Sequence, residues 1–95
     1  IDVRNEDANA ALQRMAARRE RFALVVADPP RTGMGIEAAR ALAAVATSRV
    51  VLVSCDPATL ARDLGPLVED GLRIRRLAVH ALMPMTPEVE TVVLL

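Results

Sequence analysis

Two short apolar runs set the tightest limit on how this chain can fold. Phe22 to Ala27 is a continuous apolar stretch, and Arg49 to Val53 carries a second one. Runs of this kind, without alternation, predict strands buried on both faces of a parallel sheet. Helical patterning fills the spaces around them. Over residues 8–20, Ala8, Ala11, Leu12, Met15 and Ala16 share one stripe, while Arg14, Arg18 and Arg19 fall largely outside it. Residues 36–46 read as an Ala-rich helix. Asp56 followed by Pro57 predicts a helix start, with Leu60, Leu64, Leu67 and Val68 as its core stripe. Gly65 and Gly71 read as helix punctuation, and Gly71 is the expected end.

Residues 72–79 predict a third strand, with a bulge where the alternation slips between Ile74 and Leu77. Pro84, Thr86 and Pro87 predict a loop before a last strand over 89–95. Strand–helix alternation implies right-handed crossovers and a parallel sheet covered by helices. No helix separates the last two strands, so they are expected to pair antiparallel. The fold class is therefore α/β: half of a doubly wound, mostly parallel sheet with an antiparallel last strand.

Composition removes several kinds of function. With 53% hydrophobic and 25% charged residues the chain should pack and not stay disordered. No apolar run approaches the roughly 20 residues of a membrane helix, so no membrane partner is expected. Net charge is zero and all 12 basic residues are Arg, which argues against nucleic-acid binding by bulk electrostatics alone. Phe22 is the only aromatic residue, so a base-stacking platform of rings is ruled out. One cysteine, Cys55, excludes an intrachain disulfide framework, a Cys-rich zinc site and a four-Cys iron–sulfur cluster. With His80 as the lone histidine, no metal site is expected, and the expected location is cytoplasmic.

Ligands of open α/β sheets bind at the carboxyl ends of the parallel strands. Asp28-Pro29-Pro30-Arg31-Thr32-Gly33 follows the first strand, and Ser54-Cys55-Asp56-Pro57 follows the second. An antiparallel final strand begins at the same edge and brings Glu90 toward Asp28 and Cys55. Each residue carries two readings. Cys55 is either a small buried hydrophobe or a nucleophile at a helix start, where the dipole favours negative charge and flanking carboxylates oppose it. Asp28 is a turn-capping residue or an acceptor facing a bound cofactor. Glu90, in an otherwise apolar strand, is exposed at an edge or working. His80, at the end of the third strand, is expected at the surface, which weakens a Cys–His dyad. Gly33-Met34-Gly35-Ile36-Glu37-Ala38 fits the dinucleotide pattern, but five residues separate it from the strand, too many for the tight turn that motif needs. Arg73, Arg75 and Arg76 read as a solvated strand face or as contacts to RNA phosphates.

Together these segments resemble the uracil-C5 RNA methyltransferases, the S-adenosylmethionine-dependent family that makes 5-methyluridine in tRNA and 23S rRNA. The matching text is Asp28 to Gly33, then Val53-Ser54-Cys55-Asp56-Pro57-Ala58-Thr59-Leu60-Ala61-Arg62-Asp63-Leu64, then Pro84-Met85-Thr86-Pro87-Glu88-Val89-Glu90-Thr91-Val92. The resemblance covers essentially the whole chain. It implies a Rossmann-like methyltransferase sheet, S-adenosylmethionine as cofactor and a tRNA or rRNA substrate. It implies Cys55 as the nucleophile at C6 of the target uracil and Glu90 as the base that removes the C5 proton. It also implies Asp28 and Asp7 as cofactor contacts, although Asp7 reads equally well as a helix N-cap. Arg31 is similar to the Arg of the family motif and shapes the site.

Three departures from the family pattern stand out. Asp56 replaces the usual Asn after the nucleophile, where it either disfavours the thiolate or caps the helix. Met83 replaces a Phe, and Pro87-Glu88 replaces a His-bearing stretch. Ile1 at the start and the apolar run at the end suggest that residues 1–95 are one partial catalytic domain. The Gly-rich cofactor loop, the first strands and the N-terminal domains of the parent are expected to lie elsewhere. Such a chain alone is expected to bind the cofactor weakly and to be inactive. Two other classes remain open: an amino-group methyltransferase using the Asp-Pro-Pro segment, and a non-catalytic split or decayed interaction fragment.

Overall fold

The computed structural model describes residues 3–81 and 89–95. Among them the elements run α1 (Ala8–Ala17), β1 (Phe22–Ala27), α2 (Ile36–Val45), β2 (Ala46–Ser54), α3 (Pro57–Glu69), β3 (Arg76–Ala81) and β4 (Val89–Leu94). The loop expected around Pro84 and Pro87, with Met83 and Glu88, lies outside the described residues, as does Ile1.

The sheet order is β1-β2-β4-β3. β1 and β2 pair parallel, whereas β4 pairs antiparallel with both β2 and β3. Three strands therefore point one way and the last runs against them, as the missing final crossover helix predicts. The core lies between the helices and one sheet face. Ala38, Ala39 and Leu42 of α2 and Leu60 and Leu67 of α3 pack on Val50, Leu52 and Val93. All of these are nearly or fully withdrawn from water.

The expectation of a sheet covered on both faces does not hold among the described residues. Val50, Leu52 and Ser54 of β2 are buried, as are Thr91 and Val93 of β4 and Leu95 just beyond it, while the intervening residues are only half-buried. Leu24 and Val26 of β1 are 59% and 63% exposed, so β1 is not the doubly buried strand its composition predicts. The reason is that an unbroken apolar run is silent about which face is covered, and no described element packs on this one.

Local differences have equally simple causes. α1 ends at Ala17, before residue 20, because Arg19 adopts a left-handed φ of 59°. β2 starts at Ala46 with no loop after α2, and Thr47 Oγ1 donates 3.1 Å to the Phe22 carbonyl at the foot of β1. β3 begins at Arg76 and pairs without interruption from Arg76↔Leu94 to Ala81↔Val89. The slip between Ile74 and Leu77 thus marks the approach to the strand, not a bulge; the irregularity lies in the β1–β2 pairing, where Phe22 to Leu24 runs opposite the longer stretch Ala46 to Arg49. Within α3, Val68 is 48% exposed and leaves the predicted stripe. Nor does Gly65 punctuate the helix: α3 continues through it and through buried Pro66, which cannot donate its rung of the helix. Termination falls to Gly71, at φ 106°.

The start of α3 forms as the sequence predicts. Asp56 is the N-cap, its Oδ1 accepting from Ala58 N at 2.9 Å and Thr59 N at 3.2 Å, with Pro57 following. Asp56→Ala should therefore lower stability by about 1 kcal/mol, and Asp56→Asn by only a few tenths, since both side chains cap well. Urea unfolding of the two variants measures the difference. At the surface, Arg14 donates two hydrogen bonds to Glu6, and Arg40 bridges Asp70 and Glu69. The bond from Arg14 holds the Glu6 carboxyl below its ordinary value. Pairs this exposed contribute little to stability.

Candidate active site

The topology brings three chain segments to one rim. β1 and β2 are parallel, so Asp28 and Cys55 leave the sheet at the same edge. β4 runs the other way and enters there, with Thr91 opposite Ser54. The pairing ends there, and Cys55 and Glu90 are the next residues of the two segments at this edge. The pleat also decides the face. Ser54 and Thr91 point into the core, whereas the partners Val53 and Val92 occupy the open face. Glu90, the strand residue next to Thr91, returns to that open face, and Cys55 follows Ser54 in the bend after β2.

Cys55 is a free, half-buried thiol at the corner between β2 and α3. Ser54 fixes that corner. Its hydroxyl donates to the Asp56 carbonyl at 3.0 Å and accepts from the Asp56 amide at 3.2 Å. The Asp56 carboxylate is engaged by the first amides of α3, so the residue in place of the usual Asn caps the helix.

Glu90 is half-buried, and its Oε2 is shielded from water with no hydrogen-bond partner among the described residues. A shielded carboxylate oxygen without a donor is costly unless a ligand or proton meets it. Its register partner on β3 is His80, which is exposed as expected. Sequence spacing gave no hint of that pairing.

Asp28 is exposed and lines a cleft of about 300 Å³ walled by Pro29, Pro30, Leu12, Met34 and Val26. One carboxylate on apolar walls suits a ligand with a flat apolar body and a cationic or hydroxyl donor. Asp7 does not line this cleft. It is the N-cap of α1, with Oδ2 accepting from Ala10 N at 2.9 Å, and the next two residues, Ala8 and Asn9, reach the cleft instead. Asn9 went unnoticed in the sequence; its Nδ2 donates 3.1 Å to the Met34 carbonyl and joins α1 to the loop after β1. Arg31, on that loop, is exposed, and its carbonyl accepts from Thr59 Oγ1 at 2.9 Å. Arg73, Arg75 and Arg76 are exposed, in keeping with a solvated face. No group of three potential metal ligands occurs among the described residues, and none of the described helices is long and apolar enough to cross a membrane.

Comparison with known proteins decides the family. The model of the tRNA (uracil-5-)-methyltransferase family matches residues 3–95. The chain belongs to that family. Among curated relatives, an uncharacterized RNA methyltransferase of Streptomyces coelicolor is 47% identical over 72 residues, 76% of this chain and 16% of the relative. A Pseudomonas aeruginosa protein named 23S rRNA (uracil(1939)-C(5))-methyltransferase is 40% identical over 88 residues, 93% of this chain and 19% of that one. Among solved structures, the Pyrococcus abyssi tRNA (uracil-54, C5)-methyltransferase in complex with S-adenosyl-L-homocysteine superposes with a TM-score of 0.66. It is 36% identical and covers 77% of this chain and 18% of its own. The S-adenosylmethionine complex of M1.HpyAVI matches 98% of this chain and 51% of its own, with a TM-score of 0.75 at 14% identity, which bears on the fold alone. The fold is thus the Rossmann-like methyltransferase sheet. The chain spans only 16–22% of the length of these first curated relatives.

Proposed function

We propose that this chain is part of a longer enzyme that methylates C5 of a uridine in tRNA or rRNA, and that it carries the nucleophile and the base. The observation that carries the reading is the Ser54–Thr91 register pair: Cys55 directly follows one partner and Glu90 directly precedes the other, so both stand at one edge of the sheet. Family membership supports the same chemistry.

C5 of uracil is a weak nucleophile. In this reading the Cys55 thiolate adds to C6, the C5–C6 double bond opens, and C5 gains enolate character. When bound, S-adenosylmethionine supplies the electrophilic methyl group that C5 then takes. Glu90 removes the C5 proton, the enolate reforms, and the Sγ–C6 bond breaks to restore the thiolate. The shielded Oε2 of Glu90, without a hydrogen-bond partner among the described residues, suits an acceptor for that proton. Asp28 and the cleft beside it are the proposed contact for the cofactor, with its apolar walls and one carboxylate fitting a cationic ligand. The capping role of Asp7 leaves it a secondary contact in this proposal. The partners are an RNA substrate and the remainder of the parent chain, and the expected location is cytoplasmic.

The experiment is to incubate the full-length protein with S-adenosylmethionine and unmodified tRNA or 23S rRNA transcripts, then digest to nucleosides. The expected product is 5-methyluridine in one class of RNA. Methylation at a base amino group, or none in either RNA, contradicts the proposal.

A further inference from the structure

We propose that Asp63 is a positioning residue that fixes the loop bearing Asp28 relative to the corner bearing Cys55. The inference rests on the uracil-methyltransferase reading and concerns a residue that touches neither reactant in it.

Residues 28–35 connect β1 to α2 without regular structure, apart from a turn closed by Gly33 N on the Pro30 carbonyl at 2.8 Å. A loop of this kind has little of its own to hold a side chain in place. Here α3 holds it. Asp63 Oδ2 accepts from Met34 N at 2.8 Å, and Oδ1 accepts from Gly35 N at 3.1 Å. Arg62 Nη2 donates to the Thr32 carbonyl at 2.7 Å, and Thr59 grips the Arg31 carbonyl one turn earlier. The same helix begins at the Asp56 cap, one residue after Cys55. α3 is therefore a rigid bar with the thiol corner at its start and the cofactor-side loop fastened along its first two turns.

Asp63 is only 2% exposed, within a stripe that otherwise reads Leu60, Leu64, Leu67. A charge there is tolerable only because two backbone amides and Arg62 meet it. Successive amides converging on one anion form a nest of the type that binds phosphate in other proteins. In this chain the nest is filled from within, so the Gly33-to-Ala38 pattern is not free to bind a dinucleotide. Gly33 shows how close the seat is: at φ 80°, a Cβ there would stand 2.5 Å from Asp63 Oδ2. Only glycine lets the loop lie on the carboxylate.

The test uses full-length protein and steady-state kinetics with melting temperature alongside. Asp63→Ala should raise KM for S-adenosylmethionine about tenfold, the usual effect of losing charge-assisted bonds, while kcat at saturating cofactor stays within about threefold. Asp63→Asn keeps one acceptor and should fall between. Arg62→Ala removes the exposed bond to the Thr32 carbonyl and the 3.3 Å pair with Asp63 but leaves both amide bonds to that carboxylate, and it should raise KM about twofold to threefold. A lower melting temperature with KM unchanged across the series makes Asp63 a stability residue only and overturns the proposal, as does a loss confined to kcat. Failure of the wild-type protein to methylate uridine removes the reading beneath it; an active wild type with unmoved KM in the variants removes the clamp alone.

Discussion

Cys55→Ala in the full-length protein should abolish uridine methylation, by at least roughly 10⁴-fold, because removing a covalent nucleophile leaves C5 with no route to enolate character. The loss should come without a matching loss of fold. Cys55 is half-buried at a corner whose geometry is set by the Ser54 hydroxyl and the Asp56 cap, and neither depends on the thiol. Melting temperature should therefore stay near that of the wild type while product falls below detection. Retained methylation in Cys55→Ala would leave the cysteine as a packing residue.

Glu90→Gln should behave differently, and the contrast separates the two roles. Glutamine keeps the size of the side chain but cannot take up the C5 proton. Addition of Cys55 and methyl transfer should still occur, so a methylated, covalently bound RNA should accumulate. Turnover should fall about 10²–10⁴-fold, the range for loss of a general base. Denaturing gel electrophoresis with labelled RNA reads the accumulation directly. Normal turnover in this variant removes Glu90 as the base and turns attention to His80, its partner across β3 and β4.

The residues that announce themselves in the sequence are those whose local chemistry suffices. Asp56-Pro57 specifies a helix start whatever surrounds it, and Gly71 specifies its end. The rim itself is legible because strand direction alone brings Asp28, Cys55 and Glu90 to one edge. What stays hidden depends on partners distant in the chain. Val26 and Leu24 look like core residues, and only the arrangement of helices shows that their face is open. Asp7 looks like a ligand contact and a cap in equal measure until its bond to Ala10 is seen. Asp63 was visible inside the family-like segment, yet its use requires Met34 and Gly35, some 29 and 28 residues away. A carboxylate set into a leucine stripe was the available signal.

The central claim is a bond between Cys55 Sγ and C6 of uracil, and one measurement addresses it directly. RNA carrying 5-fluorouridine at the target, with S-adenosylmethionine and full-length protein, should stall after methyl transfer, because fluorine cannot leave C5 as a proton. Trypsin cuts after Arg49 and Arg62, so Cys55 falls in the peptide Val50 to Arg62. Mass spectrometry after nuclease digestion should find that peptide carrying a methylated fluorouridine nucleotide on Cys55. An unmodified peptide alongside methylated RNA, or the nucleotide on another residue, would contradict the account.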